Sequence, residues 1–159
     1  MVTTGISLHS SRRVSTVPLG PDEVWAVVAG AGPGRHWYVD AAPFVVRGAI
    51  DRAVLGGGRR WPVPDGPLLR AGDRAGFWVV RAAGDRPGGH RLVLEAAVRA
   101  PGTVTLTVLL TARDGGTEVD LQVRFDPAGL LGTAYLLADL PAREVLLELV
   151  DRRIRADLV

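Results

Sequence analysis

From Thr103 to Arg113 and again from Thr117 to Phe125, apolar and polar residues alternate almost one for one. Val104, Leu106, Val108 and Leu110 share one face of the first stretch, and Thr103, Thr105, Thr107 and Thr111 share the other. In the second, Val119, Leu121, Val123 and Phe125 oppose Glu118, Asp120, Gln122 and Arg124. Such a period admits only β-strands with one face buried and one wet. Asp114-Gly115-Gly116 between them is a hairpin signal. Two more apolar runs precede these, Gly76–Ala82 and Arg91–Ala100, set off by Gly84-Asp85-Arg86-Pro87-Gly88-Gly89 and by Pro101-Gly102. Short turns between consecutive strands predict an antiparallel meander.

The rest of the chain supplies one further strand and the helices. Leu8 to Leu19 is polar with Val14 and Val17 spaced through it, and reads as a modest strand. Pro21-Asp22-Glu23 opens a helix, with proline at a first-turn position and acids at the positive end of its dipole. Val24, Trp25, Val27 and Val28 give it a buried side, and Gly30-Ala31-Gly32-Pro33-Gly34 stops it. That glycine run follows a helix, with no βαβ unit around it, so it is a turn and not a phosphate loop. Pro43 begins a second helix that runs to about Leu55 and stops at Gly56-Gly57-Gly58. Arg59 to Gly72 is an irregular connection containing Trp61. After the Gly129–Gly132 turn, Thr133 to about Asp157 reads as a long helix. Val145, Leu146, Leu149, Val150, Ile154 and Leu158 form its apolar side, and Pro141 marks a kink or boundary. The expected class is α+β: a curved antiparallel sheet around a long C-terminal helix, with two short helices after the first strand, in one domain over residues 1–159.

Composition removes much chemistry. The chain has no cysteine, and all 19 basic residues are arginine. Disulfides, thiol nucleophiles, iron–sulfur clusters, Schiff bases and a P-loop lysine are therefore ruled out. Serine occurs only at Ser7, Ser10, Ser11 and Ser15, so no nucleophile elbow lies in the body of the fold. His9, His36 and His90 have no carboxylate at helical metal-ligand spacing, so no metal site is expected; His90, beside Gly-Gly in a hairpin, reads as solvated. The net charge is +2, with arginines interspersed among aspartates and not gathered into a stripe, which argues against a nucleic-acid partner. No run approaches a membrane span, and Arg12-Arg13 precedes no signal-peptide apolar core. A cytoplasmic location is expected.

The order of elements resembles the helix-grip fold of the superfamily that joins START domains, plant pollen allergens and polyketide cyclases (SRPBCC), in which the sheet encloses a cavity. Pro21-Asp22-Glu23-Val24-Trp25 resembles the start of the first helix there. More narrowly, the chain is similar to an uncharacterised family of that superfamily, often found fused after short-chain-dehydrogenase-like domains. The stretches that carry this are His36-Trp37-Tyr38, Arg47-Gly48-Ala49-Ile50-Asp51-Arg52, Gly72-Asp73 through Phe77-Trp78, Pro101-Gly102, and Phe125-Asp126-Pro127-Ala128-Gly129-Leu130-Leu131-Gly132 with Tyr135 and Pro141. They span roughly residues 30 to 150. Two departures stand out: the family pattern has Glu where this chain has Ala97, and His where it has Arg143. No dehydrogenase-like domain lies within these residues, so the resemblance implies a domain acting alone or with a separate partner.

Candidate site residues follow from both readings. In the second helix Arg47 and Asp51, four apart, share a stripe with Phe44 and Leu55. They are either a salt bridge fixing the helix or a carboxylate tuned by arginine and burial. Trp37, Tyr38, Trp61, Trp78 and Tyr135 pack a core or, in a hollow fold, line a pocket. Glu95 lies on the wet face with Arg91 and Arg99, opposite Leu92, Leu94 and Val98, which discounts it. The expected catalytic set is Asp51 or Asp40 as acid or base, with Tyr38 as donor. Arg47, His36, Trp37, Trp61, Trp78 and Tyr135 would contact the ligand. Three functions stay open. One is a cofactor-independent cyclase, isomerase or dehydratase acting on a polyketide- or lipid-like molecule. The second is a carrier or sensor of such a ligand, and the third an interaction domain with a filled core. The expected partner is the hydrophobic small molecule, with the protein as monomer or homodimer.

Overall fold

Seven antiparallel strands form a single sheet in the computed structural model, which describes residues 3–6, 9–32, 36–40, 64, 66–97 and 102–158. In chain order they are β1 (Thr3–Ile6), β2 (Ser10–Val17), β3 (Arg74–Ala75), β4 (Trp78–Arg86), β5 (Gly89–Ala96), β6 (Gly102–Arg113) and β7 (Gly116–Pro127). The spatial order is β1-β2-β7-β6-β5-β4-β3, so β4 to β7 form the expected meander, the short β3 extends it beside β4, and β2 returns to pair with β7. Among the described residues three helices accompany the sheet: α1 (Pro21–Val28), α2 (Trp37–Asp40) and α3 (Gly129–Asp157). α1 packs on β5, β6 and β7, and α3 on β2 and β7. A curved antiparallel sheet with a long C-terminal helix agrees with a helix-grip architecture.

Alternation places the core as expected. Leu106, Val108 and Leu110 of β6 face inward with Val119, Leu121, Val123 and Phe125 of β7, all buried. The register sets Leu106 against Val123, Val108 against Leu121 and Leu110 against Val119. The outward threonines and charges stay wet. Glu95 keeps its expected place on the outer face, where Arg81 donates to both its carboxylate oxygens at 3.0 and 2.6 Å.

Two of the meander's hairpins, β4–β5 and β6–β7, need glycine twice. The loops are only Pro87-Gly88 and Asp114-Gly115, so Gly84 to Arg86, read from sequence as part of a separator, belong to β4. The next residue in each, Gly89 or Gly116, sits where a β-carbon would lie 2.0 Å from the Leu110 carbonyl oxygen or 2.1 Å from that of Val17. Backbone occupies the side-chain position.

Three sequence expectations are corrected. His90 is buried, not solvated, because it shares strand parity with Leu92 and Leu94 and so points inward. It stacks on Trp25 of α1 at 4.9 Å, with Nδ1 3.0 Å from Asp85 Oδ1 and Nε2 2.8 Å from Asp22 Oδ1. The ring thereby fastens the first turn of α1 to the β4–β5 hairpin. His90→Ala is expected to cost about 2 kcal/mol, measured as a lower urea midpoint with unchanged slope.

The second correction concerns α3. Helical continues through Gly129 and Pro141, so Gly129–Gly132 is its first turn and not a separate loop. Its inward positions are Arg143, Leu147, Val150, Asp151 and Ile154, all buried, whereas Val145 is 58% exposed and Leu149 only half-buried. At about 100° per residue, Val145 falls on the side opposite that group. Two charged residues hold inward places that an apolar count gives to others. Third, the stretch after His36, to which the sequence reading assigns no helix, forms the short helix α2. The expected helix from Pro43 to Leu55 lies outside the described residues.

The inward charges of α3 meet a polar strand. Ser11, Arg13, Ser15 and Val17 share the inner face of β2. Ser11, Arg13 and Ser15 pair with Val123, Leu121 and Val119, so apolar rows crossing the sheet end in polar residues at β2. Ser15 Oγ donates to Asp151 Oδ1 at 2.8 Å. Asp151 Oδ2 lies 2.7 Å from Arg155 Nη2 and 3.5 Å from Arg13 Nε, and Arg13 also pairs with Glu148. A hydrogen bond from Arg152, with the charges of Arg13, Arg152 and Arg155, holds the Glu148 carboxyl below the usual carboxylate range.

Candidate functional site

α1 ends at Val28, and the chain turns through Ala29 to Gly32 beside the segment that leads into β3. Ala31 N–H donates to the Pro67 carbonyl at 2.8 Å and Leu69 N–H to that of Ala29 at 2.7 Å. This two-bond clamp leaves the carbonyls of Val28, Gly30 and Gly32 directed at the next element, α2. The first two take hydrogen bonds from Trp37 and Tyr38, and His36 Nε2 lies against Gly32, within 3.3 Å of its N–H as well as close to its carbonyl.

Trp37 Nε1 donates to the Val28 carbonyl at 2.9 Å, and Tyr38 hydroxyl to that of Gly30 at 2.8 Å. His36 Nε2 lies 2.8 Å from the Gly32 carbonyl oxygen. From the sheet, Trp78 Nε1 donates to the Tyr38 carbonyl at 2.9 Å. The rings complete the cluster. His36 stacks on Tyr38 at 5.1 Å, Trp37 meets Tyr38 edge-on at 5.6 Å, and Phe77 packs on Trp78 at 4.6 Å. Trp37 and Tyr38 are each 1% exposed and Trp78 is 3%. Buried indole and phenol groups need such partners for their polar ends.

Four of the sequence-nominated residues, His36, Trp37, Tyr38 and Trp78, therefore form one network where α2 meets β4. Asp40 is the last residue of α2, and its side chain lies outside the described set. Arg47, Asp51 and Trp61 are outside the described residues. Tyr135 belongs to the first half of α3, where side chains are outside that set. Of the two departures from the family pattern, Ala97 is exposed, while Arg143 is buried at 2% exposure on the inner side of α3.

The inward polar groups Ser11, Arg13, Ser15 and Asp151 escaped the sequence reading. Parity along β2 places the two serines and Arg13 with the buried Val17, a signal weakened by the polar character of the whole segment. Asp151 carries no such signal, since it lies at the margin of the apolar stripe and only contact with Ser15 reveals its side.

Comparison with known proteins gives one family and a shared fold. The family model described as "Protein of unknown function (DUF2867)" matches residues 2–149. No curated protein matches the chain. Among solved structures, the solution NMR structure of a protein from Arthrobacter aurescens is 15% identical with a TM-score of 0.55, covering 98% of this chain and 90% of that one. Ms6760 from Mycobacterium smegmatis is 18% identical with a TM-score of 0.49, covering 100% and 98%. CalU16 from Micromonospora echinospora is 17% identical with a TM-score of 0.46, covering 99% and 84%. The likeness to the Arthrobacter protein is one of fold alone.

Proposed function

The chain belongs to the DUF2867 family, whose description names no activity, and from its own residues we propose that it binds a polyketide- or lipid-like molecule in an internal cavity. We further propose that it is a single helix-grip domain of the SRPBCC superfamily and that it catalyses a cofactor-independent cyclisation, isomerisation or dehydration. The observation that carries this reading is the aromatic network of His36, Trp37, Tyr38 and Trp78. It stands at the end of an apolar sheet face, next in sequence to the segment that bears Arg47, Asp51 and Trp61. Affinity in such a site comes from apolar burial, at about 25 cal/mol per Å².

In the catalytic reading, Asp51 or Asp40 acts as general acid or base, moving a proton at a carbon next to a carbonyl. Tyr38 donates to that carbonyl, Arg47 orients it, and Trp61 and Tyr135 close the aromatic wall. A specific observation supports the alternative of a carrier. Trp37 Nε1, Tyr38 hydroxyl and Trp78 Nε1 already donate to backbone carbonyls at 2.8–2.9 Å. Donors satisfied by the protein suit a rigid wall better than a reacting centre.

Native mass spectrometry of the purified protein, followed by extraction, is expected to yield a bound hydrophobic compound. Asp51→Asn should leave the protein folded while lowering turnover or binding of that compound at least about tenfold, or about 1.4 kcal/mol. Full activity with a lowered melting temperature would make Asp51 a structural salt-bridge partner and pass the acid–base role to Asp40. A protein that carries no compound and transforms none would sink the reading.

A further inference from the structure

The pairing of β4 with β5 shifts register at Arg81, the extra residue between Val80, opposite Leu94, and Ala82, opposite Val93. A bulge of this kind turns over every later side chain of its strand. Asp85 thereby stands opposite His90 and on the same face, a place that unbroken pairing from Val80 would give to Gly84. A second carboxylate, Asp22, comes from α1. The His90 ring is 8% exposed, with Nδ1 3.0 Å from Asp85 Oδ1 and Nε2 2.8 Å from Asp22 Oδ1. Trp25 covers its plane, and the residue opposite it on β6 is the apolar Leu110. The nearby charges are engaged elsewhere. Glu23 accepts from Gly20 N–H at 2.8 Å, and Arg86 donates to Thr111 Oγ1 at 2.8 Å.

A neutral imidazole has one N–H, and an ionised carboxylate has none to offer. Both contacts are hydrogen bonds at the same time only when the ring carries two protons. We propose that Asp85, His90 and Asp22 form a proton-operated latch, which closes α1 onto the β4–β5 hairpin while the ring is imidazolium and gives up one of its two bonds when the ring becomes neutral. Histidine side chains change charge between about pH 5 and 8. The latch is therefore complete on the acid side of that range and one bond short on the alkaline side. The first turn of α1 carries its own reporter, since Val24 N–H donates to the Gly20 carbonyl at 3.1 Å. Because α1 packs on β5, β6 and β7, a looser first turn uncovers that end of the sheet. The latch is independent of any ligand.

The test is amide hydrogen exchange by NMR at about pH 5.5 and about pH 8.5, on either side of the histidine range. Each rate is divided by that of an unstructured peptide at the same pH. Protection of the Val24 amide in the native protein is expected to fall about threefold from the acid to the alkaline condition, as one exposed hydrogen bond is lost. His90→Gln has no ring to titrate, and should show weaker protection without the fall. Asp85→Asn changes an exposed side chain and leaves the fold intact. Its amide donates to an unprotonated Nδ1 and accepts from a protonated one, so both bonds survive at either pH and the fall should vanish. Equal native protection at the two pH values would overturn the latch. So would a fall that persists in Asp85→Asn, or a ring nitrogen spectrum showing one bare nitrogen of His90 at the acid condition.

Discussion

Replacing Phe125 by alanine is expected to lower folding stability by about 4 kcal/mol, the range for a fully buried phenylalanine whose cavity cannot collapse. The cavity is held open by both strands of the pair. Phe125 is 0% exposed, and its ring reaches across to β6, where a β-carbon on Gly102 would lie 2.8 Å from two ring atoms. Val104 stands directly opposite. Gly102 thus leaves room that the ring fills, a cross-strand arrangement in which an aromatic covers a glycine. In a domain of this size the loss corresponds to about 10 °C or more in melting temperature, readable by scanning calorimetry. Phe125→Leu should recover more than half of it. A Phe125→Ala protein melting within a few degrees of native would show that the ring does not hold β6 to β7.

That pair also bears on how motifs should be read. Pro101-Gly102 and the run beginning at Phe125 are two of the stretches that carry the family resemblance. Here they meet, and packing accounts for Gly102 and Phe125 without any appeal to a ligand. The His36-Trp37-Tyr38 run differs, since it concentrates polar aromatic tips at one end of the sheet.

Asp151→Ala is expected to cost about 3 kcal/mol. Removing one member of a buried ion pair leaves the others desolvated and uncompensated, typically at 3–5 kcal/mol. The lower end applies because the Arg155 side chain is 42% exposed and rehydrates easily. Arg13, at 17%, rehydrates less but keeps its ion pair with Glu148. Ser15 Oγ would also lose its acceptor. A double-mutant cycle with Ser15→Ala should give clearly non-additive losses, and additivity would mean that the two act independently. Acid should weaken the same seam. The folded pKa of Glu148 lies below its unfolded value, so its contribution is present above the ordinary carboxylate range and is lost as pH falls through the folded value.

The sequence by itself determined the meander, the starting point of α1, the presence of a long C-terminal helix and the inner face of β6 and β7. Each depends on a local period or on a turn whose glycines no other residue can replace, so neighbours in sequence carry the whole signal. It also singled out the aromatic run of α2 and Trp78, which the fold brings into one network. His90 is misread as solvated from its place beside a turn, although its alternation with Leu92 and Leu94 carries the inward signal. Only the tertiary structure decided what faces what across the domain. An apolar count placed Val150 and Ile154 inward correctly, but it also put Val145 there, which the fold exposes, and it missed the inward Arg143 and Asp151. Asp151 can be inward there because β2, far off in sequence, presents Ser15 and Arg13 to it. No local pattern on α3 contains that information: burial of a charge is permitted by its partner, and the partner is chosen by the fold.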